Sequence, residues 1–187
     1  MLREAYQIKI TIEDIEPPIW RQLIIPSGIT FYKFHQIIQT AFGWQNYHLF
    51  EFEFPDVIIN IPAPEDLNKP QMNAKKVKID SFMDQHNDFL YIYDLGDYWR
   101  HRIELEQFLQ PEEISSPRCI GGARHRPPED VGGVGGYEEF LHAISDPNHP
   151  EYDDMLQWAE KDTDGRKFDP EYFYIHELNR KLTKIKI

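Results

Sequence analysis

The sequence contains little cysteine and comparatively little positive charge. A single cysteine, Cys119, excludes an intramolecular disulfide and is typical of proteins kept in a reducing compartment. The 20 Lys and Arg residues are outnumbered by 32 Asp and Glu residues, which gives a formal net charge of -12. A chain this acidic repels a phosphate backbone unless its basic side chains gather on one face. We therefore expect no non-specific binding to nucleic acid.

Long apolar segments are missing as well. No run of residues approaches the roughly 20 that cross a bilayer, and the first residues lack the apolar stretch of a secretory signal. These absences predict a cytoplasmic protein without membrane contact. Hydrophobic residues still make up 41% of the chain and aromatic residues 14%, which is enough to bury a core. The length favours a single domain over residues 1–187.

Strand-like patterns come first in the sequence and helix-like patterns last. Apolar and polar residues alternate over 6–12, as in a half-buried strand, and helical spacing follows between a Thr30 cap and Gly43. More strand-like segments extend to about residue 105, and three helix-like segments end the chain. This order predicts an α+β fold. We expect a mostly antiparallel sheet of about five to six strands, one helix after the first two strands and three C-terminal helices.

Prolines set two further expected boundaries. Four of them between residues 55 and 74 predict a surface loop. Asp169 and Pro170 are residue types that favour the cap and the first position of a helix. The last helix is therefore expected to begin there.

An aromatic-rich segment predicts a β-hairpin and the first candidate site. Gly96 and Asp97 suit a two-residue hairpin loop. With that loop, Asp94 and His101 become diagonal neighbours on the apolar face, while Tyr93 lies on the opposite face. A carboxylate beside an imidazole is what a general base or a supported metal ligand requires. The alternative is a structural hydrogen bond that fixes the hairpin register.

A Gly/Pro-rich loop over residues 117–136 supplies the second set of candidates. Glu129 and Asp130 would extend the Asp94 and His101 pair into a carboxylate and histidine metal site. Structurally, the same two carboxylates would instead accept loop N–H groups or pair with Arg124 and Arg126. The sequence leaves both interpretations open.

Residues 160–171 approximate a calcium-binding loop, and they supply the weakest metal candidates. Asp162, Asp164 and Glu171 stand at ligand positions, but Lys167 replaces the usual hydrophobic residue and Pro170 precedes the last ligand. A polar turn followed by a helix start accounts for the same residues.

Five segments together resemble the family of the third open reading frame of the Ri plasmid, over about residues 5–183. The resemblance implies an α+β fold and no established activity, and some members carry a label of transposon resolvase. The serines of this chain lack the arginine-rich setting of a resolvase nucleophile, apart from two near Arg118. The segments are 17–21, 41–49, 93–101, 127–133 and 168–171.

The leading hypothesis is a non-catalytic binding or regulatory module that needs no cofactor. Exposed aromatic side chains with arginine partners would favour a protein or peptide partner. The aromatic hairpin over residues 89–105 and the Gly/Pro loop would form its recognition surface. The predicted binding residues are Trp44, Asn46, His48, Tyr93, Asp97, Trp99, Arg124 and Arg126.

Two alternatives come from other functional classes. A metal-assisted hydrolase would use a divalent metal with Asp94, His101, Glu129 and Asp130 as ligands or acid/base groups, with His48 as a further candidate. A DNA-associated accessory protein of a mobile element would use the arginines of the Gly/Pro loop, and the acidity of the chain disfavours it.

Overall fold

The computed structural model describes residues 3–62, 70–112 and 116–187. In chain order, its strands are β1 (Arg3–Ile12), β2 (Trp20–Pro26), β3 (Phe50–Glu53), β4 (Ile58–Asn60), β5 (Gln71–Asn73), β6 (Asp88–Tyr93), β7 (Trp99–Glu112) and β8 (Arg118–Ala123). Its helices are α1 (Phe31–Phe42), α2 (Asp80–Met83), α3 (Gly133–Ser145), α4 (Tyr152–Ala159) and α5 (Ile175–Leu182). A 3-10 turn, Glu160–Asp162, directly follows α4.

All these strands belong to one sheet in the order β5-β4-β3-β6-β7-β1-β2-β8. Neighbouring strands are antiparallel except β4 and β5, which run parallel. The predicted α+β class and mostly antiparallel sheet are confirmed, but eight strands exceed the expected five to six. Within the described ranges, no helix has both the length and the apolarity needed to cross a bilayer.

The additional strands lie in segments whose prolines and glycines predicted loops. β4 and β5 fall inside residues 55–74, and β8 falls inside the Pro/Gly-rich region after β7. Pro70 lies just before β5, and its carbonyl accepts a hydrogen bond from the backbone N–H of Ile58 at 3.0 Å. Prolines therefore flank this pairing without interrupting it. Residues 63–69 of the predicted loop lie outside the described residues.

Helix α1 forms where its sequence predicts it and covers one face of the sheet. The hydroxyl of Thr30 accepts the N–H of Lys33 at 3.2 Å, and Gly43 ends the helix with a φ of 83°. Such a left-handed residue is the usual helix terminator. The rings of Phe31 and Phe34 lie against Phe52 of β3, with centroid distances of 4.9 and 5.5 Å. The core therefore lies between α1 and the sheet.

The hairpin of β6 and β7 has a different register from the predicted one. Tyr93 pairs with Trp99, so residues 94–98 form a five-residue loop and not a two-residue one. The first residue of the loop, Asp94, has a φ of 59°, and its Oδ1 accepts the N–H of Gly96 at 2.9 Å. This side-chain bond stabilises the longer loop. Tyr93 consequently lies on the core face, where the predicted register had put it on the opposite face.

The last helix also begins later than predicted. Asp169 accepts the N–H of Glu171 at 2.9 Å through its side chain and the N–H of Tyr172 at 3.1 Å through its carbonyl, which makes a turn. The carbonyl of Pro170 accepts the N–H of His125 at 2.9 Å. Because the carbonyl of Pro170 is bonded to the loop that carries His125, it does not accept an intrahelical N–H. The helix therefore begins only at Ile175, the first residue of α5.

Two adjacent glycines of α3 should respond in opposite ways to alanine. A Cβ on Gly136 would overlap the backbone carbonyl of Val131, whereas a Cβ on Gly135 meets nothing within 4 Å. We expect Gly136→Ala to lower the free energy of unfolding by about 2 kcal/mol or more. Gly135→Ala should leave it unchanged or raise it by up to about 1 kcal/mol. Urea unfolding of both variants measures the difference, and equal stabilities would contradict the packing of α3 against this loop.

Candidate functional site

His101 does not pair with Asp94, because its hydrogen bonds go to the aromatic core. Its Nε2 accepts the indole N–H of Trp44 at 3.1 Å, and its Nδ1 donates to the carbonyl of Trp99 at 3.0 Å. Burial lowers the pKa of His101 to about 4. An indole nitrogen can only donate, so the Nε2 lone pair is occupied. The predicted Asp94–His101 pair is therefore wrong, and His101 has a structural role.

Four other predicted candidates converge, with His48 in the place expected for His101. The Nε2 of His48 lies 3.0 Å from an oxygen of Asp130, 3.6 Å from one of Asp94 and 3.9 Å from one of Glu129. One ligand atom each from His48, Asp94 and Asp130 fall within 4.8 Å of one another. We call these three residues the His48 cluster. In the part of the chain that the structure describes, no other His, Cys, Asp and Glu group has this geometry.

Strand pairing brings the first two members of the cluster together. His48 lies just before β3 and Asp94 just after β6, and these two strands are antiparallel neighbours. The N–H of Asp94 donates to the carbonyl of Leu49 at 2.9 Å and extends the ladder by one bond. While Oδ1 of Asp94 caps the hairpin loop, its Oδ2 faces His48. The hairpin loop therefore fixes one carboxylate of the cluster.

The third member comes from the loop before α3, which is joined to the hairpin loop. Asp130 has a φ of 60°, in the left-handed region, and its side chain is 56% exposed. The carboxylate of Asp97 accepts the N–H of Gly132 at 3.0 Å. This bond ties the two loops to each other. Asp97, predicted as a binding residue, thus connects the loops that carry Asp94 and Asp130.

Glu129 is the buried neighbour of the cluster. Its side chain is 1% exposed, and its Oε1 accepts the N–H of Gln45 at 2.6 Å and the hydroxyl of Tyr93 at 3.2 Å. Its Oε2 has no hydrogen-bond partner and lies nearest to His48. Burial raises the pKa of the Glu129 carboxyl. A buried, unpartnered carboxylate oxygen thus points at the cluster.

A buried ion pair positions the segment that carries His48. The guanidinium of Arg126 donates to the carbonyl of Gly43 at 3.1 and 3.0 Å and to Asp162 at 2.7 Å. The same guanidinium stacks on the ring of Trp44 at 4.7 Å. The side-chain amide of Gln45 donates to Asp162 at 2.8 Å. These contacts hold residues 43–45 in place and so orient His48.

Most of the predicted recognition surface is buried. Trp44, Tyr93 and Trp99 are at most 5% exposed, so these aromatic side chains belong to the core. Arg126 is fully buried, and Arg124 is 7% exposed because it donates to Glu171 at 2.8 Å and to the carbonyl of Pro17. Of the predicted binding residues, those accessible to solvent are Asn46, His48 and Asp97.

The predicted calcium loop does not assemble. Asp162 is bound to Arg126 and Glu171 to Arg124, so these two carboxylates serve separate ion pairs. Asp164 is exposed and has a φ of 53°. The segment is the polar turn that its sequence also allowed.

Sequence comparison places the chain among proteins of similar length. Residues 4–177 match the sequence model of a family described as plasmid pRiA4b ORF-3-like protein. The uncharacterised protein y4hQ of Sinorhizobium fredii is 34% identical over 161 residues, which cover 85% of this chain and 82% of that protein. The crystal structure of the protein of unknown function MM3350 from Methanosarcina mazei Go1 has a TM-score of 0.82 at 36% identity, covering 95% of this chain and 98% of that chain.

Enclosed histidines should make the protein sensitive to mild acid. Burial lowers the pKa of His35, His101 and His125 from 6.5 to about 4. Below about pH 6.5 these histidines bind protons in the unfolded chain but stay neutral in the folded protein. The stability is therefore complete above that pH and is lost as the pH falls toward 4, by up to about 1.4 kcal/mol per pH unit for each histidine.

Urea unfolding between pH 7 and pH 5 measures this loss. His101→Gln removes one of the three titrating groups. The number of protons taken up on unfolding should therefore fall by about one, and the free energy of unfolding should depend less steeply on pH. A free energy of unfolding that stays constant over this range would contradict the neutral assignment of the three rings.

Proposed function

We propose that this chain, which belongs to the plasmid pRiA4b ORF-3-like protein family, binds a divalent transition-metal ion through His48, Asp94 and Asp130. The observation that carries the proposal is the convergence of one imidazole nitrogen and two carboxylate oxygens within 4.8 Å. These ligand types suit zinc, manganese or iron. Calcium prefers six to eight oxygen ligands, and the imidazole disfavours it.

The charges around the cluster support a cation. The carboxylates of Asp94, Glu129 and Asp130 lie around one imidazole, and the amine of Lys161 is 3.9 Å from Asp130. The unpartnered Oε2 of Glu129 would cost roughly 1–3 kcal/mol if nothing satisfied it. A bound dication, with the water it carries, would compensate this negative charge and supply that partner.

Hydrolysis is the chemistry that this arrangement favours. His48 is 28% exposed and Asp130 56% exposed, so a metal here keeps positions open to water and substrate. A bound metal lowers the pKa of its water and produces a nucleophile at neutral pH. Glu129 lies outside the three-ligand group, and its free oxygen is suited to accept a proton from that water.

The surroundings of the site favour a peptide or protein substrate. Tyr47 and Leu49 flank His48 in the chain and are 68% and 66% exposed. Exposed apolar side chains next to a metal centre provide contacts for an extended chain with apolar residues. We propose this role in place of recognition by the buried aromatic hairpin.

Metal binding is tested by loading the protein with zinc or manganese, removing free metal and measuring bound metal by elemental analysis. We expect about one ion per chain. Asp94→Asn retains the loop cap and the left-handed backbone but removes a charged ligand, and it should weaken binding by about tenfold or more. Asp130→Asn should act in the same way.

Asp164→Asn is the matched control, because Asp164 is exposed and lies outside the His48 cluster. Its metal content should equal that of the unmodified protein. Absence of bound metal in the unmodified protein, or equal loss in the control, would overturn the proposal.

Hydrolysis is tested with casein and p-nitrophenyl acetate, comparing metal-loaded with chelator-treated protein. Glu129→Gln should retain the metal but lose hydrolysis by at least about 100-fold, because it removes the proton acceptor. A Glu129→Gln variant that hydrolyses both substrates at the original rate would rule out this role for Glu129.

A further inference from the structure

A groove of about 760 Å³ lies beside α1 and α5 and borders the His48 cluster, because Lys161 lines the groove and its amine is 3.9 Å from Asp130. Pockets for small ligands usually have volumes of about 300–1,000 Å³. The sides of the groove come from α1 and residues 43–46 after it, from the 3-10 turn and the segment that follows it, and from α5 with the residues after it. His48, Asp94 and Asp130 are not among its lining residues. The groove therefore adjoins the His48 cluster without including any of its three members.

The groove is basic in a protein that is otherwise strongly acidic. Seven cationic side chains line it against three carboxylates, while the whole chain carries a net charge of -12. Two of those carboxylates are already paired: Asp162 with Arg126, and Glu177 with Lys181 at 3.1 Å. The cationic residues are Arg21, Lys33, Lys161, Arg166, Lys181, Lys184 and Lys186.

Helix dipoles do not account for this concentration of charge. Lys181 lies in the last turn of α5, where a cation stabilises the helix. Lys33, however, lies in the first turn of α1, which contains no acidic residue, and a cation there opposes the dipole. Its position is unfavourable for α1 taken alone. The cations of α1 and α5 that face one groove are therefore a feature that the stability of the helices does not explain.

Several of these amines have no carboxylate of their own. Lys33, Lys184 and Lys186 form no ion pair within 4.0 Å among the described residues. Arg21, by contrast, is buried and donates to backbone carbonyls, so it is not available to a ligand. The available charge therefore lies on flexible lysines, which bind phosphate as point charges.

Apolar side chains also line the groove. Phe42, Phe173 and Leu178 lie among its lining residues, and Ile185 lies between the two terminal lysines. We propose that this groove binds a small phosphorylated molecule, whose phosphates contact the lysines and whose planar or apolar body contacts the apolar side chains of the lining. A long polyanion fits less well, because it would extend from the groove over the acidic remainder of the surface.

The proposal is tested by calorimetry at low salt with adenosine triphosphate as the probe. A chelator is present throughout, so that phosphate cannot bind through a metal at the His48 cluster. We expect saturable binding of adenosine triphosphate, weaker binding of inorganic tripolyphosphate and none of adenosine. The affinity should fall steeply with added salt, because the contacts are ionic and exposed.

Charge reversal identifies the groove as the site. Lys184→Glu combined with Lys186→Glu should weaken binding by about tenfold or more, because both lysines line the groove and both are exposed. Lys76→Glu combined with Lys78→Glu makes the same change of net charge on exposed residues outside it. This control should bind as the unmodified protein does, and thermal unfolding checks that both variants remain folded.

Three results would overturn the proposal: no saturable binding of adenosine triphosphate at millimolar concentration, adenosine binding as tightly as the triphosphate, or equal weakening in both double variants. Asp94→Asn should bind the probe normally under these conditions. Failure of the metal proposal would therefore leave this result unchanged, and the reverse also holds.

Discussion

The buried Arg126–Asp162 ion pair is the interaction on which the candidate metal site depends. It joins the residue that ends α1, the loop before α3 and the 3-10 turn after α4. Both side chains are fully enclosed, so removing one partner would leave the other charged and buried, at a cost of about 3–5 kcal/mol. The pair also satisfies the carbonyl of Gly43, and through this contact it sets the path of the chain toward His48.

Sequence patterns predicted the parts of the fold that depend on local periodicity. Alternation identified β1, and the Thr30 cap with Gly43 identified α1, because these signals act within a few residues. The hairpin register was wrong, because the side chain of Asp94 stabilises a five-residue loop where Gly96 and Asp97 suggested a tighter one. Strands of three residues, such as β4 and β5, are too short to show a periodic pattern in the sequence. Their pairing depends on the rest of the sheet and could not be predicted locally.

The same register error explains which site residues the sequence identified and which it combined wrongly. Asp94, Glu129 and Asp130 were all predicted candidates, but they were grouped around His101, whose Nε2 is occupied by an indole. His48 replaces it because β3 is the neighbour of β6. The sequence named His48 as a further candidate, but no local pattern shows that the strand after it lies next to β6. Neighbouring strands far apart in the sequence cannot be inferred from one chain.

Both carboxylates of the His48 cluster belong to residues with left-handed backbones, at φ values of 59° and 60°. Aspartate tolerates this conformation better than most residues, but a cost of order 1 kcal/mol remains and is met when the protein folds. The positions of the two carboxylates are thereby set by the fold itself. Binding of the proposed metal ion would then require little loss of chain entropy, because the backbone that carries both carboxylates is already fixed by the fold.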